Sequence, residues 1–236
     1  MFFKFSHIFN FINNLPTRYA LKNLFFSVHC TSAKPIIAIM IKVAAIQDHV
    51  VSMLKNGLPA LFTYHNLAHT LDVTKQCKRI AALEGITDKE ILLELEIAAL
   101  YHDTGFLHIY LNHEEKSCEL AIAQLPGFGV NKKMIENICA IIMATKVPQS
   151  PHNHLQQIIC DADLDYLGRD DFFIVGENLR KELAAYKIIK STGEWEERQL
   201  VFLQSHNYFT KTSQQQRAPA KLQHLQKLVD NKNKKG

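Results

Sequence analysis

The sequence predicts an all-α fold. Glycine and proline are scarce, 9 and 7 in 236 residues, so few points interrupt regular structure. Apolar residues recur at helical spacing from Met40 onward, with few of the alternating Val/Thr-rich stretches that form strands. Capping residues, glycines and prolines fall between these periodic stretches, as helix boundaries require.

Taken in order, the first helix covers residues 41–56 and closes near Gly57. A second runs from about Asn66 to Glu84, with Gly85 where a left-handed C-cap residue belongs. Thr87 and Glu90 form a T-x-x-E capping box, so a third helix starts at Asp88. Its apolar positions Ile91, Leu92, Leu95, Ala98 and Ala99 carry it to Tyr101. Further helices are expected at 114–125, 132–145, 153–165, 171–190, 194–206 and 219–229. Pro126-Gly127, Pro148 with Pro151, Gly168, Gly193 and Pro219 separate them.

Hydrophobic residues make up 47% and charged residues 21%, enough to bury a sizeable core. The net charge of +4 is uneven: residues 48–206 hold 15 basic against 22 acidic residues, a net of −7. The basic excess lies at the ends. A basic end can touch nucleic acid or an acidic membrane, but a solvated tail is the simpler reading, and the acidic centre gives no reason to expect a nucleic-acid partner. The cysteines, Cys30, Cys77, Cys118, Cys139 and Cys160, form no CxxC pair and read as free thiols, which implies a reducing, cytoplasmic setting. No apolar run reaches the roughly 18 residues that span a bilayer; the nearest, Pro35–Ile46, is interrupted by Lys42.

Three parts follow. Residues 1–39 contain no acid and are rich in Phe and Asn; they are either a targeting or surface-binding extension, or an upstream segment of a chain that works from Met40. Residues 40–210 form the helical domain, and 211–236 a basic C-terminal helix or tail.

Four short pieces carry the chemistry: Tyr64-His65-Asn66-Leu67-Ala68-His69, Tyr101-His102-Asp103, Asn112-His113-Glu114-Glu115 and Asp161-Ala162-Asp163. His65 and His69 are four apart at a helix start, so both can face one side of that helix. His102 and Asp103 close a helix apolar enough to be buried, and Asp163 ends a stretch carrying Leu155, Ile158 and Ile159. Imidazoles and carboxylates from separate helices converge in bundle cores to hold metals. Nitrogen and oxygen together suit Mn²⁺ or another transition metal, and Mg²⁺ where phosphate oxygens share the coordination.

The order His69, His102-Asp103, Asp163 resembles the H…HD…D signature of the HD superfamily of metal-dependent phosphohydrolases, over roughly residues 60–170. The resemblance implies an HD-domain helical bundle, a divalent ion on His69, His102, Asp103 and Asp163, and hydrolysis of a phosphate ester or anhydride, with a small-molecule nucleotide as substrate. Within the superfamily, Tyr64-His65-Asn66-x-x-His69 with Asp72-Val73 is similar to a segment of cyclic-nucleotide phosphodiesterases. That likeness makes His69 a metal ligand and His65 the proton donor to the leaving oxygen, although those enzymes continue after HD with Leu-Asp-His where this chain has Thr104-Gly105-Phe106. A second likeness, to nucleotide-cleaving HD enzymes such as dNTP triphosphohydrolases, gives the catalytic acid to His113 and Glu114. Lys146 and Arg169 are candidate phosphate clamps by charge and position. Asp161 is expected to support the ligands or to face solvent, and His108, His152 and His154 are candidates for a further metal position. A nucleotide-sensing module without turnover, and a homo-oligomer, both stay open.

Overall fold

The computed structural model describes residues 33–234, with side chains from Val43 onward. The chain divides into two units, Met1–Ile37 and Ala38–Gly236; the core and the candidate site belong to the second. The expectations for residues 1–32, and for Cys30 among them, lie outside the described residues.

Every regular element among the described residues is helical: α1 (Ala33–Gly57), α2 (Leu67–Leu83), α3 (Lys89–Tyr101), α4 (His113–Gln124), α5 (Lys132–Met143), α6 (His154–Asp163), α7 (Phe172–Ala185), α8 (Thr192–Ser205), α9 (Lys211–Gln216) and α10 (Ala218–Asn233). Short 3-10 turns follow α3, α4 and α6. No described helix is long and apolar enough to cross a membrane.

α3 is the central element. Leu93, Leu95 and every residue from Ile97 to Tyr101 are buried, so its C-terminal half is enclosed on all sides, as the interior part of a helix must be. α2 and α5 pack on it, α6 packs on α2, and α4 on α5. Their apolar side chains form one core cluster that runs from Ile46 on α1 to Ala162 on α6. A second cluster gathers Leu164, Leu167, Phe172, Leu203 and Tyr208 around Tyr64. Asp163 stands between Ala162 of the first cluster and Leu164 of the second, so the last candidate ligand sits where the two cores meet.

Local chemistry accounts for most helix ends. Gly85, at φ +78°, closes α2 as expected. The start of α3 differs from expectation: Asp88, not Thr87, is the cap, its carboxylate accepting from the N–H groups of Glu90 and Ile91 at 2.8 and 3.1 Å. α7 stops at Ala185 rather than near residue 190, because Lys187 turns left-handed (φ 58°) and Ile188 N–H bonds back to the Leu183 carbonyl at 2.8 Å. No glycine announces that turn. The C-terminal stretch is not a solvated tail. Buried Lys221 donates to the Leu203 carbonyl at 3.0 Å and to the His206 carbonyl, closing α8, and His224 stacks on Phe172 with ring centroids 4.6 Å apart.

Candidate metal centre

Asn66 organises the first part of the site. Its side chain accepts from Ala68 N–H at 2.9 Å and His69 N–H at 3.3 Å, starting α2 and placing His69 in its first turn. His65 therefore lies before the helix, not on it, in a bend where Asn66 N–H bonds back to the Tyr64 carbonyl at 2.8 Å, and the expected helical facing of the two histidines is not realised. Their rings still meet edge to face, 6.0 Å between centroids.

α3 ends at Tyr101, so His102 and Asp103 project from its C-terminus. The turn that follows is clamped onto α4: Gly105 N–H donates to Ser117 Oγ at 2.8 Å, and Ser117 Oγ donates to the His102 carbonyl at 2.7 Å. A side chain on Gly105 would overlap the His113 carbonyl oxygen, so glycine is required for this approach.

His69 Nε2 stands 3.1 Å from an Asp163 oxygen and 3.4 Å from Asp103 Oδ2; His102 Nε2 is 3.2 Å from Asp103 Oδ2 and 3.4 Å from His69 Nε2. His69, His102 and Asp163 each offer an atom within 4.8 Å of the others. His102 Nδ1 is 2.8 Å from the Ala99 carbonyl; a carbonyl only accepts, so Nδ1 carries the hydrogen and the Nε2 lone pair points into the cluster. Asp103 Oδ2 is buried without a hydrogen-bond partner. An orphaned carboxylate oxygen facing two imidazole nitrogens and a second carboxylate fits a divalent cation. The electrostatics agree. Burial opposes the charged forms, yet Asp103 and Asp163 raise the His102 pKa well above the usual imidazole value. Against the same burial penalty, His102 and His69 push Asp163 down to about 2.

His65 has a partner that the sequence did not reveal. Its Nδ1 is bonded to Glu182 of α7, which is fully buried and also accepts from Tyr64 N–H (2.8 Å), His65 N–H (2.9 Å) and the Tyr110 hydroxyl (3.1 Å). Burial disfavours the imidazolium, but the Glu182 bond and the nearby carboxylates raise the His65 pKa. The one available signal was an acid at helical spacing within the apolar face of Leu179 and Leu183. On the same side lies His113, opened into place by Asn112 at φ 58°. Phe106 is stacked between the two histidines, with centroids 4.3 Å from His65 and 3.8 Å from His113. His113 Nε2 is 3.4 Å from buried Glu114 and 3.6 Å from Asp103 Oδ1.

No protein-family model and no curated protein sequence matches the chain. Solved structures do. Bacillus subtilis YpgQ, an HD-domain protein crystallised in complex with ADP, aligns with a TM-score of 0.56 at 19% identity, over 82% of this chain and 96% of its own. A predicted HD superfamily hydrolase from an uncultured Thermotogales bacterium aligns with a TM-score of 0.50 at 20% identity, over 78% and 91%. The chain has the HD-domain fold.

Within this HD domain the remaining candidates separate. Arg169 is held by Asp171 through two contacts of 2.9 Å and by Asp72 at 2.5 Å. Lys146 is paired with Glu115 and with Asn112 Oδ1 at 3.1 Å, and it lines neither cavity at the centre. His154 pairs with Glu84 at 3.1 Å, and among the described residues neither it, His108 nor His152 joins the ligand cluster. Asp161 neither faces solvent nor supports a ligand: it is fully buried and accepts from Phe209 N–H, Thr210 N–H and Thr210 Oγ1 at 2.7–2.8 Å, anchoring the link from α8 to α9.

The HD centre opens on two sides. A polar cavity of about 330 Å³ is lined by His69, Asn66, Asp72 and Arg169. A larger one of about 640 Å³ is lined by Asp103, His65, His113 and Glu114, then by side chains of α7 and α8. Tyr64, Asp163 and Tyr166 line both.

Proposed function

We propose that this chain is a metal-dependent phosphohydrolase acting on a nucleotide, with a cyclic nucleotide as the leading candidate. The observation that carries this reading is the convergence of His69, His102, Asp103 and Asp163, with an orphaned carboxylate oxygen, beside a histidine held by a buried glutamate. YpgQ, crystallised with ADP, supports a nucleotide.

His69, His102, Asp103 and Asp163 would hold a divalent ion, which when bound would supply Lewis-acid polarisation of the phosphoryl group and a nucleophile at neutral pH. The chain's own residues do the rest. His65 Nδ1 is engaged by Glu182, so Nε2 is the nitrogen that delivers a proton to the leaving oxygen. Glu182 stabilises the imidazolium before transfer and fixes the ring through its bonds to the Tyr64 and His65 backbone. Phe106 stacks on the ring and Tyr110 meets it edge-on, which holds its orientation.

The second reading, a nucleotidase or nucleoside-triphosphate hydrolase, gives the acid role to His113 with Glu114; the 3.4 Å separation of His113 Nε2 from Glu114 favours it. Product formation should be measured with Mn²⁺ or Mg²⁺, with Asp103→Ala as control: nucleoside monophosphate from cyclic nucleotides, nucleoside with phosphate or polyphosphate from nucleoside mono- and triphosphates, and p-nitrophenol from bis(p-nitrophenyl) phosphate. Turnover abolished by Asp103→Ala and by His65→Asn, but retained in His113→Asn, supports the first reading. The reverse histidine pattern supports the second. Absence of turnover in metal-loaded protein would overturn both in favour of a nucleotide-sensing module.

A further inference from the structure

The larger cavity contrasts with the charge expected around a nucleoside triphosphate. Asp103 and Asp163 of the candidate metal centre line it, together with apolar side chains: Leu179 and Leu183 from α7, Trp195, Val201 and Phe202 from α8. Acidic side chains on the lining are Asp103, Glu114, Asp163 and Glu197; among the described residues the one permanent cation there is Arg198. Arg198 is already held by Glu194, through Nε at 3.2 Å and Nη2 at 2.8 Å. Two other basic residues near the centre are likewise committed, Lys146 to Glu115 and Arg169 to Asp72 and Asp171. A chain of phosphates needs cations or backbone donors along its length. Once a metal has taken one phosphoryl group, this chamber offers a second and third phosphate acids and hydrocarbon instead.

We infer that the substrate presents a single phosphate group to the metal centre, joined to an uncharged, flat, largely apolar part that sits between α7 and α8, and that nucleoside di- and triphosphates are disfavoured. The inference rests on the phosphohydrolase reading above and narrows it. The chamber volume, about 640 Å³, lies in the range of small-molecule sites, and its aromatic walls favour stacking on a ring. His65 and His113 sit at the junction of metal centre and apolar walls, where the bond from phosphorus to the organic part would lie.

Trp195 is the chain's one tryptophan and lines the chamber, so its fluorescence reports occupancy independently of turnover. The Mg²⁺-loaded protein would be mixed in a stopped-flow cell with phenyl phosphate, AMP, ADP, ATP and ribose 5-phosphate. Phenyl phosphate and AMP should alter the Trp195 signal and bind about tenfold or more tightly than ATP or ribose 5-phosphate, with ADP between. Val201 is 55% exposed, so Val201→Lys should fold normally and, by adding a cation, raise ATP affinity toward that of AMP. ATP binding as well as AMP overturns the inference while leaving the hydrolase reading intact; so does ribose 5-phosphate matching AMP. The expected preference without hydrolysis of any of the five, of a cyclic nucleotide or of bis(p-nitrophenyl) phosphate upholds the inference and overturns the hydrolase reading. No signal with any of the five overturns the inference, and p-nitrophenol release from bis(p-nitrophenyl) phosphate then decides the hydrolase reading alone.

Discussion

Glu182 and His65 are 117 positions apart in sequence, yet the buried Glu182 carboxylate is bonded to the His65 ring and accepts the His65 backbone N–H at 2.9 Å. One side chain thus sets both the position of the loop before α2 and the tautomer of its histidine. Glu182→Gln keeps an acceptor but removes the charge that stabilises the imidazolium. The expected outcome is a fall in kcat with a smaller change in KM, alongside a loss of roughly 1–3 kcal/mol of folding stability. His65→Asn should cost about 10²–10⁴-fold in turnover. Steady-state kinetics and urea denaturation of the two variants check both; an unchanged kcat in Glu182→Gln would remove the Glu182 charge from the mechanism, and an unchanged kcat in His65→Asn would remove His65.

Metal binding should appear as stability. The four candidate ligands come from the ends of three helices, α2, α3 and α6, so an ion that binds them only in the folded chain would tie the three together. At one hundred times its dissociation constant it adds about 2.7 kcal/mol. Wild-type protein should show a higher Tm with Mn²⁺ than with a chelator, and Asp163→Ala should abolish the difference. An equal Mn²⁺ shift in Asp163→Ala would place the ion elsewhere.

What was legible in the sequence was whatever is local. The helices, the left-handed Gly85 and the spacing of His69, His102, Asp103 and Asp163 all rest on short-range periodicity and motif; His69, His102 and Asp163 lie within reach of one ion, and Asp103 Oδ2 is 3.2–3.4 Å from both imidazoles. What was not legible depends on distant packing. Glu182 belongs to a helix with no motif of its own, and its role exists only because α7 packs beside Tyr64. Asp161 sits in the same D-A-D as Asp163 but faces Thr210, a direction no spacing rule assigns. The basic C-terminal helix looked solvated by charge alone, whereas buried Lys221 finds two carbonyls at the end of α8.

Gly105 is where site and scaffold touch most closely. The backbone after His102-Asp103 runs against the first residue of α4, and any Cβ at Gly105 would collide with the His113 carbonyl oxygen. A backbone oxygen cannot swing aside as a side chain would, so Gly105→Ala must separate α4 from the turn. The expected cost is about 1–3 kcal/mol or more. Because His113, Glu114 and Ser117 travel with α4, turnover should fall more than the stability loss alone explains at temperatures where the variant stays folded. A urea midpoint and kcat/KM measured on the same preparation test this; wild-type values for both would show that the turn has room to move.

His206 should make stability depend on pH. Burial, reinforced by the Lys221 charge, lowers its pKa from 6.5 to about 4, and both ring nitrogens are buried without hydrogen-bond partners. Between pH 6.5 and 4 the unfolded chain binds a proton at this position that the folded chain refuses. The unfolded state therefore gains as pH falls: the His206 contribution is complete above about pH 6.5 and lost progressively toward pH 4. A tenfold difference in proton affinity between the two states corresponds to about 1.4 kcal/mol, so the full effect is at most about 3.5 kcal/mol. His206 lies between Phe202 and Tyr208, with ring centroids 5.9 and 4.8 Å away, so a phenyl ring suits the position. His206→Phe should leave stability near pH 7 equal or higher and flatten the slope between pH 6.5 and 4. Carboxylates of the metal centre titrate lower and are common to both proteins, so the difference between the two pH profiles isolates His206. Parallel profiles would mean that this histidine reaches solvent and protonates in the folded state as freely as in the unfolded one.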